Sequence, residues 1–323
     1  YPPGYIYILW FLTFIKNLIK VKTGSSVAFF IIKLVPMICD IATGLFLYKL
    51  ASKKFKNIVS YAILFVYLFN PGVIMNSAVW GQVDSVFTLG ILLMCYFAVT
   101  DKSYLSYVTY AAAILIKPQA IMFTPIIMFV FAQQVCISND GKKFLTFRKT
   151  EFLRHMAWIV TTLCGFAILS IPYGFARVIK QYSTTMGSYK YASVNAYNMW
   201  SMFGLNWALQ TNKVFGITYQ QWGTIVIVAI CMISVFMWLS KLKDKNRYVA
   251  IAIFICAAMF TFAVRMHERY VYPAIILLML LFILTKQVSV LVLYFAYTIA
   301  HFYNAAYVLY FYDPKNFDPR RAP

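Results

Sequence analysis

The strongest constraint on this chain is the length and spacing of its apolar runs. Read against a span of about 20 residues, ten stretches qualify as membrane-crossing candidates: roughly 27–50, 57–70, 85–100, 103–117, 118–135, 155–172, 222–240, 248–264, 271–285 and 288–311. The opening stretch, 5–21, is apolar but carries Lys16 and Lys20. It reads as an eleventh span or as a helix lying in the membrane interface. Only 12% of the 323 residues are charged and 62% are hydrophobic, too little charge for a water-facing surface when a soluble domain carries about 25%. Disorder is excluded by the same imbalance. The expected fold class is all-α: a polytopic transmembrane helical protein of about 10–11 spans, with 1–323 as a single membrane domain.

A formal net charge of +20 would suggest nucleic acid in a soluble protein. Here the basic residues cluster between apolar runs, as the positive-inside rule produces, so no nucleic-acid partner is expected. The six cysteines, Cys39, Cys95, Cys136, Cys164, Cys231 and Cys256, have no C-x-x-C spacing and read as small buried hydrophobes. No signal-peptide pattern opens the chain. It begins Tyr1-Pro2-Pro3-Gly4, and the reading expects a native N-terminus further upstream.

Basic side chains give an orientation. One set of loops holds fifteen: Lys49, Lys53, Lys54, Lys56, Lys102, Lys142, Lys143, Arg148, Lys149, Arg154, Lys241, Lys243, Lys245, Arg247 and Lys286. The opposite set holds ten: Lys117, Arg177, Lys180, Lys190, Lys213, Arg265, Arg269, Lys315, Arg320 and Arg321. The first set is expected to be cytoplasmic. The unusual sequence then converges on the outer face: Tyr1-Pro2-Pro3-Gly4-Tyr5, 70–84, Lys117-Pro118-Gln119, the long loop of about 173–221, and 265–270. A transporter would instead set its polar groups near the bilayer midplane within inverted repeats, and no such repeat is evident.

Among these clusters, Arg265-Met266-His267-Glu268-Arg269-Tyr270 is the densest. Ionisable side chains at a membrane boundary are costly unless used or paired. Arg suits bidentate phosphate contacts, and His and Tyr add hydrogen bonds; the bland alternative is a snorkelling turn with a local Glu268–Arg pair. In Trp80-Gly81-Gln82-Val83-Asp84, Asp84 can take a proton from a hydroxyl or simply N-cap the helix starting near Ser85. Trp80 suits sugar stacking or an interfacial belt equally. Lys117 ends an apolar run that Pro118 breaks, and either pairs with a lipid phosphate or reaches the interface. Lys33 and Asp40 fall inside the 27–50 span, where a charge needs a partner. His301, Tyr303 and Asn304 read as interhelical hydrogen-bonding groups. In the long loop, Asn195, Tyr197 and Asn198 combine amides and an aromatic face, suiting carbohydrate hydroxyls or any interfacial loop. No Walker loop, metal-ligand spacing or Ser-His-Asp pattern occurs.

Taken in order, Tyr1-Pro2-Pro3-Gly4-Tyr5, Asn70-Pro71, Trp80-Gly81-Gln82-Val83-Asp84, Lys117-Pro118-Gln119, Asn195-Ala196-Tyr197-Asn198 and His267-Glu268-Arg269-Tyr270 form a pattern. It resembles the bacterial relatives of the GPI-anchor mannosyltransferases, within the type-C superfamily of membrane glycosyltransferases. Each motif is short; the ordered set, from residue 1 to about 273, carries the resemblance. It implies a multi-span enzyme of the bacterial plasma membrane that takes a sugar from a polyprenyl-phosphate carrier on the extracytoplasmic side, without fixing the sugar. One departure stands out: such enzymes carry a catalytic acid in the first outer loop, which here would lie before Tyr1. Either that acid lies upstream or Asp84 takes the role.

The function expected is hexosyl transfer, with mannose the sugar the resemblance suggests, from a lipid-linked donor to a glycan or lipid acceptor, with inversion. Asp84 is the expected catalytic base. Lys117, Arg265, His267 and Arg269 are expected at the donor phosphate, and Trp80, Gln82, Gln119, Asn195, Tyr197, Asn198, Glu268 and Tyr270 along the substrates. No cofactor is expected: the leaving group is a phosphate monoester with a second pKa near 6, so the scheme requires no metal. The competing class is a carrier or flippase for a lipid-linked saccharide, which would use the same cations but need no base.

Overall fold

A computed structural model gives the structure, and it describes residues 2–137, 145–187 and 189–311. Tyr1 of the opening motif and Lys142, Lys143, Lys315, Arg320 and Arg321 of the charge pattern lie outside the described residues. All ten apolar stretches form helices. Six helical segments are long and apolar enough to cross a bilayer: Ser26–Ala51, Asn57–Val79, Pro118–Val135, Lys149–Tyr173, Tyr219–Ser240 and Val288–Phe311. The other four are apolar but shorter, so the length criterion gives six spans among the described residues where the sequence suggested ten or eleven. In chain order the helices are α1 (Pro3–Leu18), α2 (Ser26–Ala51), α3 (Asn57–Leu68), α4 (Pro71–Ile74), a π-helical turn (Met75–Val79), α5 (Asp84–Val99), α6 (Ser103–Ile116), a 3-10 turn (Pro118–Phe123), α7 (Thr124–Val135), α8 (Lys149–Ser170), α9 (Phe175–Gly187), α10 (Met199–Met202), α11 (Tyr219–Ser240), α12 (Arg247–Phe262), α13 (Tyr272–Thr285) and α14 (Val288–Phe311).

The four shorter apolar helices, α5, α6, α12 and α13, form the middle of the bundle. α13 is apolar all round, and nearly every side chain from Tyr272 to Ile283 is buried; a helix of that kind has no solvent or lipid face to spare. At 14–16 residues these helices are about 21–24 Å long, against a hydrocarbon core of about 30 Å. All four end together at one end of the bundle, where Asp84, Lys117, Ala263 and Val271 emerge. The loops at that end carry every cluster singled out above.

The opposite end gathers the other loops. Lys54 Nζ donates to Leu284 O at 2.9 Å, Arg247 Nη2 to Gln133 Oε1 at 2.8 Å, and Lys245 pairs with Asp101. The two sets of basic residues therefore sit at opposite ends. The described contacts put both ends of α1 at one end of the bundle, the arrangement the interfacial alternative expects. The start of α1 packs Gly4 against Leu115 at the end of α6, and Tyr7 Oη donates to Leu169 O at 3.0 Å near the end of α8. Its other end runs straight into the start of α2, where Lys16 Nζ donates to Thr23 Oγ1 at 2.8 Å. Both ends of α1 thus lie on the cluster side, and Trp10, Phe11, Phe14 and Leu18 are exposed along it. This shifts the charge asymmetry: with Lys16, Lys20, Lys22 and Lys33 on the cluster side, the described basic residues divide thirteen to eleven.

Candidate active site

Each functional segment is placed by a local rule. Lys117 precedes a proline, which forces it out of helical geometry; it adopts φ −150°, ψ 125°, ends α6 and turns its ammonium inward. Gly81 takes φ +79° and lies so close to the Lys33 stem that a Cβ would meet Lys33 Cγ at 2.9 Å, a place that only glycine fills without strain. That turn delivers Asp84 to the first position of α5. Arg265 holds φ +64°, uncommon for a side chain of that size. There the chain leaves α12 and pairs in parallel as β4 (Met266–His267) with β1 (Ser193–Val194), aligning Val194 with His267. The 265–270 segment and the long loop are thereby laced together.

The side chains form an alternating ionic row. Lys117 pairs with Asp84 Oδ1, and Arg269 Nε stands 3.5 Å from Asp84 Oδ2. Arg269 also pairs with Glu268 Oε1, and His267 Nδ1 lies 3.7 Å from Glu268 Oε2. Asp84 is fully buried, and Glu268 and His267 nearly so. Aromatic faces enclose the cations: Lys117 Nζ lies 5.2 Å from the Phe87 ring centroid and 5.1 Å from that of Tyr270, and the Arg269 guanidinium 5.6 Å from that of Trp80. Tyr189 meets His267 edge-on at 4.2 Å. The N-cap alternative for Asp84 is not what forms: α5 begins at Asp84 itself, Val83 occupies the cap position, and no side chain caps the helix.

Burial and charge act against each other here. Burial lowers the Lys117 ammonium below the ordinary lysine range, and Asp84 only partly restores it. Burial likewise lowers His267 against the pull of Glu268, so the imidazole is neutral at pH 7. Burial pushes the Glu268 carboxyl up, but its hydrogen bond to His267 and the charge of Arg269 outweigh that and leave it below the usual range. With two carboxylates, two cations and a neutral imidazole, the row carries no net charge.

The remaining predicted residues divide. Gln119 Nε2 donates to Tyr270 O at 3.2 Å, while its Oε1 is buried without a hydrogen-bond partner among the described residues. Gln82 lies half-buried, and its backbone N–H donates to Asn76 O at 2.9 Å. Arg265 Nε donates to Gln210 Oε1 at 2.7 Å. The Asn195 side chain is spent inside the loop, accepting from Trp207 Nε1 at 2.7 Å and Asn206 Nδ2 at 3.2 Å. Asn198 caps α10 through Ser201 N and donates to Phe260 O. Tyr197 is exposed, with its ring 5.5 Å from Tyr307. So Asp84, Lys117, His267, Glu268, Arg269, Tyr270, Trp80 and Gln119 form one group, and Asn195 and Asn198 hold the loop that supports it.

Several neighbours were not legible as site residues. Lys33 Nζ donates to Val79 O at 2.6 Å, beside the Trp80 turn. Asp40 finds no cation partner among the described residues: Tyr272 Oη donates to it at 2.9 Å and Tyr67 Oη at 3.4 Å, and Tyr272 continues through Ser85 at 2.9 Å to Ser77 at 2.6 Å. The hydroxyl side chains Tyr67, Ser77 and Ser85, spread across three elements, gave no sequence signal. Compared with known proteins, residues 1–265 match the model of glycosyltransferase family 87. No curated protein and no solved structure matches the chain.

Proposed function

The chain belongs to glycosyltransferase family 87, and from that premise we propose that it moves a hexose, mannose in our reading, from a polyprenyl-phosphate donor to a glycan or lipid acceptor on the extracytoplasmic side, with inversion. The observation that carries this reading is the convergence of Lys117 and Arg269 on the buried carboxylate of Asp84, enclosed by aromatic rings. In the reaction the bond from the anomeric carbon to the phosphate oxygen breaks and a bond to the acceptor oxygen forms. The acceptor proton passes to a carboxylate, assigned to Asp84, and polyprenyl phosphate leaves. Such a leaving group needs no proton but gains a negative charge. Fixed cations in a dry site stabilise that charge best, the task assigned to Lys117 and Arg269, with His267 as a neutral hydrogen-bond donor.

The neutral row gives the scheme an order. In the free protein the Asp84 carboxylate is engaged by two cations. A donor phosphate arriving between Lys117 and Arg269 draws them toward itself and frees the carboxylate for the acceptor hydroxyl. A carrier would need the cations but not this carboxylate, so the transferase reading is favoured over a flippase. The outward orientation is supported by the thirteen-to-eleven division of basic residues and by the family resemblance.

The test uses purified protein with a radiolabelled polyprenyl-phosphate hexose and a membrane-lipid extract as acceptor, following label transfer and release of polyprenyl phosphate. Arg269→Lys keeps the charge that Glu268 and Asp84 require but loses the planar fork. We expect folded protein with transfer reduced about 10–150-fold, the worth of one charge-assisted hydrogen bond. Wild-type protein that binds these donors yet never cleaves them would leave the carrier reading in place.

A further inference from the structure

Two fully buried polar side chains near the ionic row have hydrogen-bonding capacity to spare. Asn76, in the π-helical turn, has neither amide atom partnered among the described residues, and His301, on α14, reaches only the Gly72 backbone. Leaving such groups unmade costs about 1–3 kcal/mol each, and a surrounding bilayer offers no water in exchange. Most buried polar groups of a scaffold are satisfied, so each exception calls for an explanation.

The two belong to one neighbourhood. α14 packs against the π-helical turn and α4. The His301 ring lies 5.5 Å from that of Tyr272, and its Cδ2 comes so near Gly72 that a Cβ there would stand at 3.0 Å. Tyr272 is joined through Ser85 to Ser77, the residue after Asn76, by hydrogen bonds of 2.9 and 2.6 Å. Ser85 in turn follows Asp84. His301 lies within Coulombic reach of Asp84, Glu268 and Arg269. The unused groups therefore flank the closed end of the site, while the half-exposed Trp80 and the exposed Tyr189 mark its open end.

We propose that Asn76 and His301 form a subsite for hydroxyl groups of the transferred hexose. This rests on the donor reading above and extends it to the part of the donor that selects the sugar. The hexose is bonded directly to the phosphate that Lys117 and Arg269 would hold, so it is the portion that must enter the dry end. The acceptor approaches from the open end. An amide offers two donors and an acceptor, and a neutral imidazole one donor and one acceptor: a set that matches vicinal hydroxyls and has no use for a charge. A site built to bond a hydroxyl rejects the analogue that lacks it, since its own buried groups are then left unpaired.

The experiment compares wild type, Asn76→Leu and His301→Leu on polyprenyl-phosphate mannose, glucose and galactose and on the deoxy analogues of whichever hexose wild type uses. For wild type, at least one deoxy position should lower kcat/KM about 5–150-fold. The same position should lose its effect in one of the two variants while the other positions keep theirs. Asn76→Leu should not melt below wild type in detergent, because no hydrogen bond inside the protein is removed. Deoxy penalties unchanged in both variants, with wild type active, would overturn the subsite alone. A fall in melting temperature for Asn76→Leu would overturn it too, by revealing an internal partner. Wild type inactive on all three hexoses overturns the donor reading itself, and the subsite with it.

Discussion

At Asp84 the carboxylate pairs with Lys117 through one oxygen and stands 3.5 Å from Arg269 Nε through the other. Replacing it by Asn would be nearly free if Asp84 were a helix cap, since Asn caps as well as Asp. In this geometry the same change strands the Lys117 ammonium and leaves Arg269 to Glu268 alone, and breaking a buried pair costs about 3–5 kcal/mol. Asp84→Asn should therefore melt well below wild type and lose transfer. Asp84→Asn combined with Lys117→Gln, which removes the stranded ammonium, should recover much of the melting temperature without recovering transfer. An Asp84→Asn protein that melts and turns over like wild type would remove Asp84 from both the pairing and the chemistry. The ionic row was legible in sequence because charges at a membrane boundary are rare and expensive. Asn76 and His301 were not, because whether an amide or imidazole is paired depends on neighbours hundreds of residues away.

Among the elements, the ten apolar helices follow from hydrophobic run length, which is a local property. The placement of α1 does not: its two ends are fixed by Leu115, Leu169 and the start of α2, contacts that hydropathy cannot encode. The long loop is a similar case. Its asparagines looked like carbohydrate ligands, yet Asn195 and Asn198 make the loop's internal bonds, and α14 holds the loop from outside. Asn304 Nδ2 donates to Asn195 O at 2.8 Å, and Asn304 Oδ1 accepts from Tyr197 N at 3.0 Å. This clamp comes from beyond the 1–265 family match and steadies the strand that pairs with His267. Asn304→Leu removes both bonds and leaves two backbone groups unpaired, at about 1–3 kcal/mol each. The expected result is faster proteolysis within 189–209 and a raised KM, with the bundle's melting transition preserved. Unchanged proteolysis and KM would show that the β1–β4 pairing holds the loop unaided.

For the whole molecule, orientation hangs on how the basic residues divide between the two ends. Lys16, Lys20 and Lys22 lead into the start of α2 and stand with the site end whichever way α1 runs. With Lys33 beside them, the described division is thirteen against eleven. The positive-inside rule counts residues in short loops near span ends, and on that count we propose that the end holding Lys53 and Lys243 is the cytoplasmic one. Single cysteines at four exposed positions test this directly once the six native cysteines are replaced: Lys53→Cys and Lys243→Cys at one end, Lys190→Cys and Lys213→Cys at the other. An impermeant maleimide should label positions 190 and 213 in intact cells, and positions 53 and 243 only after permeabilisation. Tyr5→Cys, at the start of α1, should label with the site end, as an interfacial α1 requires; labelling with Lys53→Cys would make α1 a span. The inverse pattern at all four positions would keep the two-ended bundle but place the glycosyl transfer in the cytoplasm, where the donor's sugar would have to face inward.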